Sequence, residues 1–516
     1  MLKLLKESAK WDGVMTLSRR TLFRIAGTTA AAGATGVGGA GALHWHALQQ
    51  AATGTDVPLN VHLLNRISFG ATPDDVAAID RMGYDAYLDE QLNPEAIDDS
   101  AIEARLLPYT SVLDLSLMAL QRLPDVEFRL YLALRANVIL RALHSKRQLH
   151  ERMVEFWSDH FNVAGEDLFI SMVPYYNQDI RDNAMGNFRK LLIATAKAPA
   201  MLVYLDNFVN IARHPNENYA RELLELHTLG VDGGYTEADV ENVARAFTGW
   251  TIHERLDDGF IFNANHHDTD AKQILGHTLP AGRGVEDGLH VLDILARHPA
   301  TAQFISRKLA VAFVSDTPPQ SLVDSTAVVF IENNGEIRPV LRHLFTSVEF
   351  KASAGQKLRR PFTFYMAGLR AAGASVTDIE YVNEHLGRLG QAPYQWLPPN
   401  GYPAVAAPWM TTNGLLERWN GAMRMTEGAQ DGDYTGVRVE LHRHIGSPTT
   451  VGELVRNIGR RVYGYDLSPE QLAPFVRYAS DDSAAGADTP ITPALLSRKM
   501  GGTFGLMIAS PQFQWI

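Results

Sequence analysis

The chain has 516 residues with a formal net charge of −11, and 46% of them are hydrophobic. Residues 1–52 carry six Lys or Arg and two Asp or Glu, so the remaining residues have a net charge of −15. Such an acidic chain lacks the basic face that nucleic acid requires. The absence of cysteine excludes disulfides, thiolate metal sites and a cysteine nucleophile.

The first element is an export signal of the twin-arginine type. Arg19 and Arg20 stand in the run SRRTLFR, and 13 of the 19 residues from Ile25 to Leu43 are Gly or Ala. That segment is too weakly apolar for a stable bilayer span but suits a signal segment. We therefore expect a signal peptide over 1–52, a periplasmic or secreted protein, and no stable membrane insertion of the mature chain. The alternative is an uncleaved N-terminal anchor.

Helical patterns dominate the rest of the chain. Thr72 followed by Pro73 and two acidic residues is typical of a helix start, and Gly83 of its end. Residues 125–147 contain no Gly or Pro and predict a long core helix. Helical periodicity also covers 148–161, 187–205, 217–229, 237–249, 286–297, 300–314, 335–348, 376–389 and 492–509. The sequence predicts an all-α fold in which 53–516 form one large multi-helix domain.

Two segments interrupt the helical pattern. Residues 250–263 contain two short β-like runs around a turn that ends at Gly259, which predicts a small β-hairpin insertion. An irregular polar loop is expected to follow at 265–270. Residues 391–409 are rich in Pro and aromatic side chains and predict an ordered loop.

The segment 216–230 predicts a helix with one polar arc. At 100° per residue, the arc contains Glu217, Asn218, Arg221, Glu222, Glu225 and Thr228. One interpretation is a solvated face with ordinary i,i+4 ion pairs, which the spacing alone favours. The other is a cleft wall, where Glu222 and Glu225 share a proton, metal or substrate and Arg221 keeps one of them ionised. His227 falls among the leucines and is expected in the core.

Histidines elsewhere offer two further candidate sites. His253, His266, His267 and His277 fall within 25 residues, with Asp268 and Asp270 among them. This combination suits Zn, Fe or Mn, although surface loops often collect His and Asp without a metal. His160 follows Trp157 by three residues, so it is either a packed ring or part of a pocket wall.

Four long motifs carry a family resemblance. They are FWSDHF at 156–161, NENYARELLELHTLGV at 216–231, YTEADVENVARAFTGW at 235–250 and HDTDAKQILG at 267–276. With them, essentially the whole mature chain resembles the bacterial family called domain of unknown function 1800. The resemblance implies a mostly exported family with no assigned reaction. Its genes often lie beside those of a second, sulfatase-like exported family, which suggests a partner or a shared pathway.

The resemblance also implies which polar residues matter. The family pattern matches Asn216, Glu217, Asn218, Arg221, Glu222 and Glu225 on the predicted helix, Trp157 and His160 in the first motif, and His267, Asp268 and Lys272 in the last. Asp270 stands where the family usually has Gly, which puts the turn of that loop in doubt. A polar signature on a helix favours a buried or cleft-lining network, whether catalytic or structural.

These observations lead to a functional hypothesis. The protein would be a hydrolase-type enzyme acting on envelope or environmental polysaccharide, because paired carboxylates suit glycosidic bonds. The catalytic residues would be Glu222, Glu225, Arg221 and His160. The substrate would be bound by Asn216, Glu217, Asn218, Trp157 and Lys272. One divalent metal would be held by His267 and Asp268. The alternative is a non-catalytic helical binding or assembly partner of the sulfatase-like protein.

The twin-arginine interpretation makes a prediction about export. The translocase reads the arginine pair as an address rather than as charge, so replacing Arg19 and Arg20 by two lysines should leave the precursor in the cytoplasm. Cell fractionation and immunoblotting would measure this. A normal amount of the double variant in the periplasm would contradict the interpretation.

Overall fold

The fold is taken from a computed structural model. It describes residues 57–516 apart from 114, 116, 121, 165–174, 253–258 and 428–435. The predicted signal peptide, His253 and the first residues of the predicted hairpin turn therefore lie outside the described residues. The described residues belong to one compact unit that spans Thr55–Ile516.

Helices account for most of the described chain, which confirms the all-α prediction. Their bounds are α1 Leu59–Ile67, α2 Pro73–Met82, α3 Tyr84–Leu92, α4 Ser100–Thr110, α5 Leu117–Leu120, α6 Val126–His144, α7 Gln148–His160, α8 Phe188–Lys197, α9 Pro199–Tyr204, α10 Asn218–Glu222, α11 Glu237–Ala246, α12 Glu286–Arg297, α13 Pro299–Phe313, α14 Gln320–Glu332, α15 Ile337–Thr346, α16 Val348–Lys351, α17 Pro361–Ala372, α18 Ile379–Arg388, α19 Thr412–Glu427, α20 Val451–Tyr463, α21 Pro469–Ala479, α22 Pro493–Ala509 and α23 Pro511–Gln514. Among these helices, none is both long and apolar enough to cross a bilayer.

Local sequence signals explain several helix ends. Thr72 accepts from the amide of Asp75 while Asp75 accepts from the amide of Thr72, and this reciprocal cap starts α2 as predicted. Thr236 and Asp239 repeat the arrangement at the start of α11. The predicted helix over 187–205 is two helices, because Pro199 cannot continue the hydrogen-bonding of α8 and instead starts α9.

The small β-structures lie where the helical pattern fails. Strand β1 (Trp250–Ile252) pairs antiparallel with β2 (Phe260–Phe262), which confirms the predicted hairpin. Gly259 has φ +72°, a conformation that side chains with a Cβ rarely adopt. A second hairpin, β3 (Lys272–Ile274) with β4 (His277–Leu279), follows the polar loop and was not predicted. Strands β5 (Ser375–Val376) and β6 (Val437–Arg438) form a third pair.

Helix α7 links the core to the site described below. Leu149, Met153 and Trp157 recur every four residues and form a fully buried apolar stripe. A second stripe, with Arg152, Glu155 and Asp159, follows a neighbouring face of the same helix. The charged stripe is also largely covered, since the side chains of Arg152, Glu155 and Asp159 are 12%, 12% and 20% exposed. Helix α17, whose twelve residues are all buried, lies deeper still.

Candidate functional site

The predicted polar arc is interrupted by a change of helix type. Helix α10 ends at Glu222 and continues as a π-helix over Leu223–Thr228. The wider turn moves later residues away from the face expected at 100° per residue. Placing Thr228 in the arc was therefore wrong, because its side chain is fully buried and its hydroxyl donates to the carbonyl of Leu223 at 2.6 Å.

Arg221 is paired with carboxylates other than the predicted two. Its guanidinium lies 2.8 Å from Glu237 and 3.2 Å from Glu217. The side chains of Arg221, Glu217 and Glu237 are 34%, 47% and 77% exposed, so these are surface pairs. The backbone amide of the exposed Asn218 donates to the side-chain oxygen of Asn216 at 2.9 Å. This end of the helix fits the solvated interpretation.

The surroundings of Glu222 and Glu225 fit neither the solvated-face nor the cleft-wall interpretation completely. Both are partly buried. Burial raises the pKa of Glu222, the neighbouring Glu225 adds to the rise, and Arg221 opposes it. Two carboxylates that share one partly desolvated site behave in this way. The pair therefore stays a predicted acid–base pair, without Arg221 as its principal ion partner.

The residues predicted to bind metal or substrate in the last motif form a compact ion cluster. Both oxygens of Asp268 accept from the guanidinium of Arg245, at 2.8 and 3.2 Å. Lys272 is 1% exposed and its ammonium lies 2.8 Å from the buried carboxylate of Asp287. His267 Nε2 lies 3.5 Å from the same carboxylate. These contacts satisfy the charges without a ligand, and the metal and substrate roles stay predictions.

Within the ranges that the structure describes, no three His, Asp or Glu side chains converge as a group that could hold a metal ion. His267 Nδ1 faces the carbonyl oxygen of Thr248 at 2.7 Å, so this nitrogen donates to the backbone.

The first motif leads to a different site. Trp157 is fully buried and its indole N–H donates to the carbonyl of Ala184 at 2.9 Å. His160, at the end of the same helix, is 1% exposed and lies 3.0 Å from the carbonyl oxygen of His227 through Nε2. His227 is itself buried, as predicted. Of the predicted site residues, the structure thus places His160 against the inner side of the segment that bears Glu222 and Glu225.

The hydrogen-bonding of His160 defines its tautomer. A carbonyl oxygen only accepts, so Nε2 carries the hydrogen and Nδ1 has a lone pair. Burial lowers the pKa of His160 well below its ordinary value, and the charge of Lys308 lowers it further. The ring is therefore neutral. In the described part of the chain, Nδ1 has no hydrogen-bond partner.

His160 lines a cavity of about 390 Å³. The walls come from α1, α7 and α13, from residues 357–363, and from the loop at 400–404. A cavity of this size falls within the range of small-molecule sites. We call it the cationic cavity because of its lining.

Positive side chains outnumber negative ones around the cationic cavity. Seven cations line it: Arg66, Arg152, Arg307, Lys308, Lys357, Arg359 and Arg360. The Asp and Glu side chains in the lining are Glu155 and Asp159, and Ile516, the last residue of the chain, also lines the cavity. A third carboxylate, Asp316, pairs with Lys357 at 2.6 Å from outside the lining. The walls therefore keep an excess of positive charge in a partly buried space, where its field is weakly screened.

One arginine joins the two lining carboxylates. The guanidinium of Arg360 lies 2.5 Å from Glu155 and 2.5 Å from Asp159, and all three side chains are at most 20% exposed. Arg152 also pairs with Glu155. Burial raises the pKa of Asp159, Glu155 adds to the rise, and Arg360 opposes it. Asp159 is therefore the lining acid that holds its proton more strongly than an ordinary aspartate.

Lys308 is the cavity cation that lacks a polar partner. Within the ranges that the structure describes, its ammonium makes no ion pair or hydrogen bond, and Phe304 lies beneath it with the ring centroid 5.4 Å from Nζ. Burial lowers the pKa of Lys308 to about 8, although Asp159 opposes the shift. An ammonium without a counter-ion beside a cavity is available to an anionic ligand.

The sequence analysis identified His160 as a site residue but did not identify the charged residues around the cavity. The feature that could have indicated them is the position of charged residues beside apolar runs. Residues 357–360 read Lys-Leu-Arg-Arg directly before the apolar helix α17, and Arg307-Lys308 interrupt the apolar helix α13. Charges in such places are either solvated at helix ends or buried together, and sequence spacing alone does not distinguish the two.

Fold and cavity together define a class: an all-α protein with small β-hairpins and a cavity lined by seven Lys and Arg side chains, of which Arg66, Lys357 and Arg359 are buried. The chain belongs to the family described as Protein of unknown function (DUF1800), whose family model matches residues 62–515. This confirms the resemblance noted in the motifs. No curated protein and no solved structure matches the chain.

Replacement by alanine should have different effects at Arg360, which has buried ion pairs, and at Arg221, which has exposed ones. Arg360→Ala leaves Glu155 and Asp159 buried with too little positive charge, so we expect it to lower the free energy of unfolding by about 3–5 kcal/mol. Arg221→Ala removes exposed ion pairs and should cost less than about 1 kcal/mol. Urea unfolding of both variants measures the difference. Equal losses would contradict the contrast between a buried clamp and a surface pair.

Proposed function

We propose that this protein binds an anionic substrate in the cationic cavity and acts on it as a hydrolase-type enzyme after export. The observation that carries the proposal is the excess of cations over carboxylates around one ligand-sized space. Buried cations are costly unless an anion compensates them, so an anionic ligand would lower the free energy of this arrangement. It would also receive charge-assisted hydrogen bonds from arginine forks.

Each lining group then has a proposed role. Lys308 would contact the anionic group of the substrate, because it lacks an ion pair among the described residues. Asp159, with its raised pKa, would donate a proton to the leaving-group oxygen. Glu155 would accept a proton from the attacking water. The neutral His160, whose Nδ1 is buried, would hold this part of the cavity wall in place through its bond to the carbonyl of His227.

The first substrate class to test is an anionic polysaccharide of the envelope or the environment. Polymers with carboxylate or sulfate groups combine the glycosidic bond that two carboxylates can hydrolyse with the charge that the cationic cavity would attract. This choice also rests on the proposed export of the protein.

Glu222 and Glu225 support a second candidate site. The raised pKa of Glu222, caused by partial burial and by Glu225, is the observation that favours it. In that case the chemistry would occur on the outer side of the segment whose inner side contacts His160.

The sulfatase-like partner offers a non-catalytic alternative. A helical assembly protein would use the cationic cavity to hold an acidic group of its partner. It would bind anions without turning any of them over, so binding and turnover must be measured separately.

Anion binding should depend on Lys308. Replacing it by methionine keeps the chain length but removes the ammonium, and sulfate should bind about ten- to hundredfold more weakly. In the unchanged protein, sulfate affinity should fall as the pH rises through about 8, where Lys308 loses its proton. Burial also lowers the pKa of Lys357, another lining residue, to about 8, so the Lys308→Met variant should show a weaker pH dependence rather than none. Isothermal titration calorimetry with sulfate measures both effects, since sulfate keeps its charge over this range.

A matched control for this measurement is Lys190→Met, which removes an exposed lysine of α8 that does not line the cavity. The lowered pKa of Lys308 means that the folded chain holds this proton less tightly than the unfolded chain. Its cost to stability is present below about pH 8 and declines as the pH rises toward 10.5. Lys308→Met should therefore not lower the melting temperature at pH 7. Undetectable sulfate binding by the unchanged protein would overturn the proposal.

Turnover should depend on Asp159. Asp159→Asn removes the proton donor and should abolish the release of reducing ends from uronate-containing or sulfated polysaccharides while sulfate binding persists. Loss of release in Glu222→Gln with normal release in Asp159→Asn would transfer the chemistry to the second candidate site. Sulfate binding without any turnover across such a panel would favour the non-catalytic alternative.

A further inference from the structure

A second cavity adjoins the cationic one along α7. It has a volume of about 70 Å³, and its walls are mostly apolar and aromatic. Its apolar and aromatic lining residues include Phe69, Val138, Val154, Phe362, Pro393 and Tyr394. We call it the aromatic cavity.

The two cavities share part of their walls. Glu155, Asp159 and Tyr402 line both of them. Ser158 lines only the aromatic cavity and His160 only the cationic one, so the boundary falls within one turn of α7. A ligand that reaches Asp159 from the cationic side is therefore next to the aromatic space.

The loop that carries Tyr402 is held against this boundary. Gly401 has φ +69°, and a Cβ there would lie 1.9 Å from the carbonyl oxygen of Asp159, so only glycine allows this approach. The side chain of Asn162 donates to the carbonyls of Trp396 and Pro398 at 2.9 and 2.8 Å. These contacts hold the loop that carries Tyr402 against α7, beside the residues that line both cavities.

We propose that the ligand is a ring that bears an anionic group, with the ring in the aromatic cavity and the anion in the cationic one. The inference rests on the proposed function, because it takes the anion site as given, and it adds the chemistry of the attached group. A space of about 70 Å³ holds several water-sized groups. It accommodates one small ring and is too small for a long acyl chain.

The shape and chemistry of the lining favour a ring. Tyr176 and Tyr394 meet edge to face with centroids 5.6 Å apart, and their rings give the cavity flat walls. Flat aromatic walls suit either an aromatic ring or the apolar face of a sugar. In both cases the ligand has one six-membered ring attached to an anionic group. Asp159 would lie beside the bond that joins the ring to this group.

Ser158 allows the aromatic cavity to be filled without breaking a hydrogen bond. In the described part of the chain, its hydroxyl has no partner. Ser158→Leu should occupy the cavity with its larger side chain and leave the residues that line only the cationic cavity unchanged. Ser158→Val is a smaller filling variant in case leucine disturbs the fold. Ser158→Ala is the matched control, since it removes the hydroxyl and adds no volume.

The experiment compares three probes that carry the same charge. Methyl sulfate presents the anion alone, phenyl sulfate adds an aromatic ring, and glucose 6-sulfate adds a sugar ring. Calorimetry on the full mature chain should show at least one ring-bearing probe binding on the order of tenfold more tightly than methyl sulfate. The ring that gains affinity identifies the source of the ligand. The filling variants should lose this gain and keep the affinity for methyl sulfate, whereas Ser158→Ala should behave as the unchanged protein.

Other outcomes separate the two proposals. Equal affinity for all three probes would overturn the ring-bearing ligand and leave the anion site intact. A ring gain that survives Ser158→Leu and Ser158→Val, in proteins with unchanged circular dichroism, would also overturn it. Binding of none of the probes would instead refute the proposed function on which the inference rests.

Discussion

A single buried guanidinium connects segments from across the whole sequence. Arg66 of α1 is 2% exposed and donates to the carbonyl oxygens of Phe313, Val314 and Ser353, and to a main-chain oxygen of the last residue, Ile516, at 2.7–3.0 Å. Burying a charge is costly unless its donors are satisfied, so the chain must bring these carbonyls to one point. Two of them come from the end of α13, where helix carbonyls lack partners within the helix. Arg66 thus fixes the position of the helix that carries Arg307 and Lys308.

A second buried arginine, Arg359, lies close enough to Arg66 for their charges to interact. Arg359 bonds the carbonyl of Phe513 and the side chain of Asn65, next to Arg66 in the chain, at 2.8 Å each. The two arginines repel each other, and burial together with this repulsion lowers the pKa of Arg66 to about 9. The carbonyls of Phe313, Val314, Ser353 and Phe513 accept from these guanidinium groups without bringing a negative charge. The positive charge of the two arginines therefore contributes to the field of the cationic cavity.

Helix geometry decides which polar residues the site can use. At 100° per residue, Glu222, Glu225 and Thr228 share one face, but the amide of Leu229 bonds the carbonyl of Leu224 five residues earlier, as in a π-helix. That wider turn buries Thr228 and presents the carbonyl of His227 to His160. π-turns often occur at functional sites, and this one lies between the predicted carboxylate pair and the cationic cavity. The π-helix therefore removes Thr228 from the predicted polar arc and also determines the tautomer of His160.

The sequence by itself determined the local structure and the family. Helix starts at Thr72 and Thr236, the hairpin that pairs Trp250 with Phe262, and the core position of His227 all follow from residues close to one another in the chain. The cationic cavity was decided only by the tertiary structure. Arg360 lies 201 residues from Asp159, and Arg66 lies 450 residues from Ile516. Whether a charged residue is solvated or buried beside a partner depends on what packs against it, and sequence periodicity reports only neighbours within a few turns.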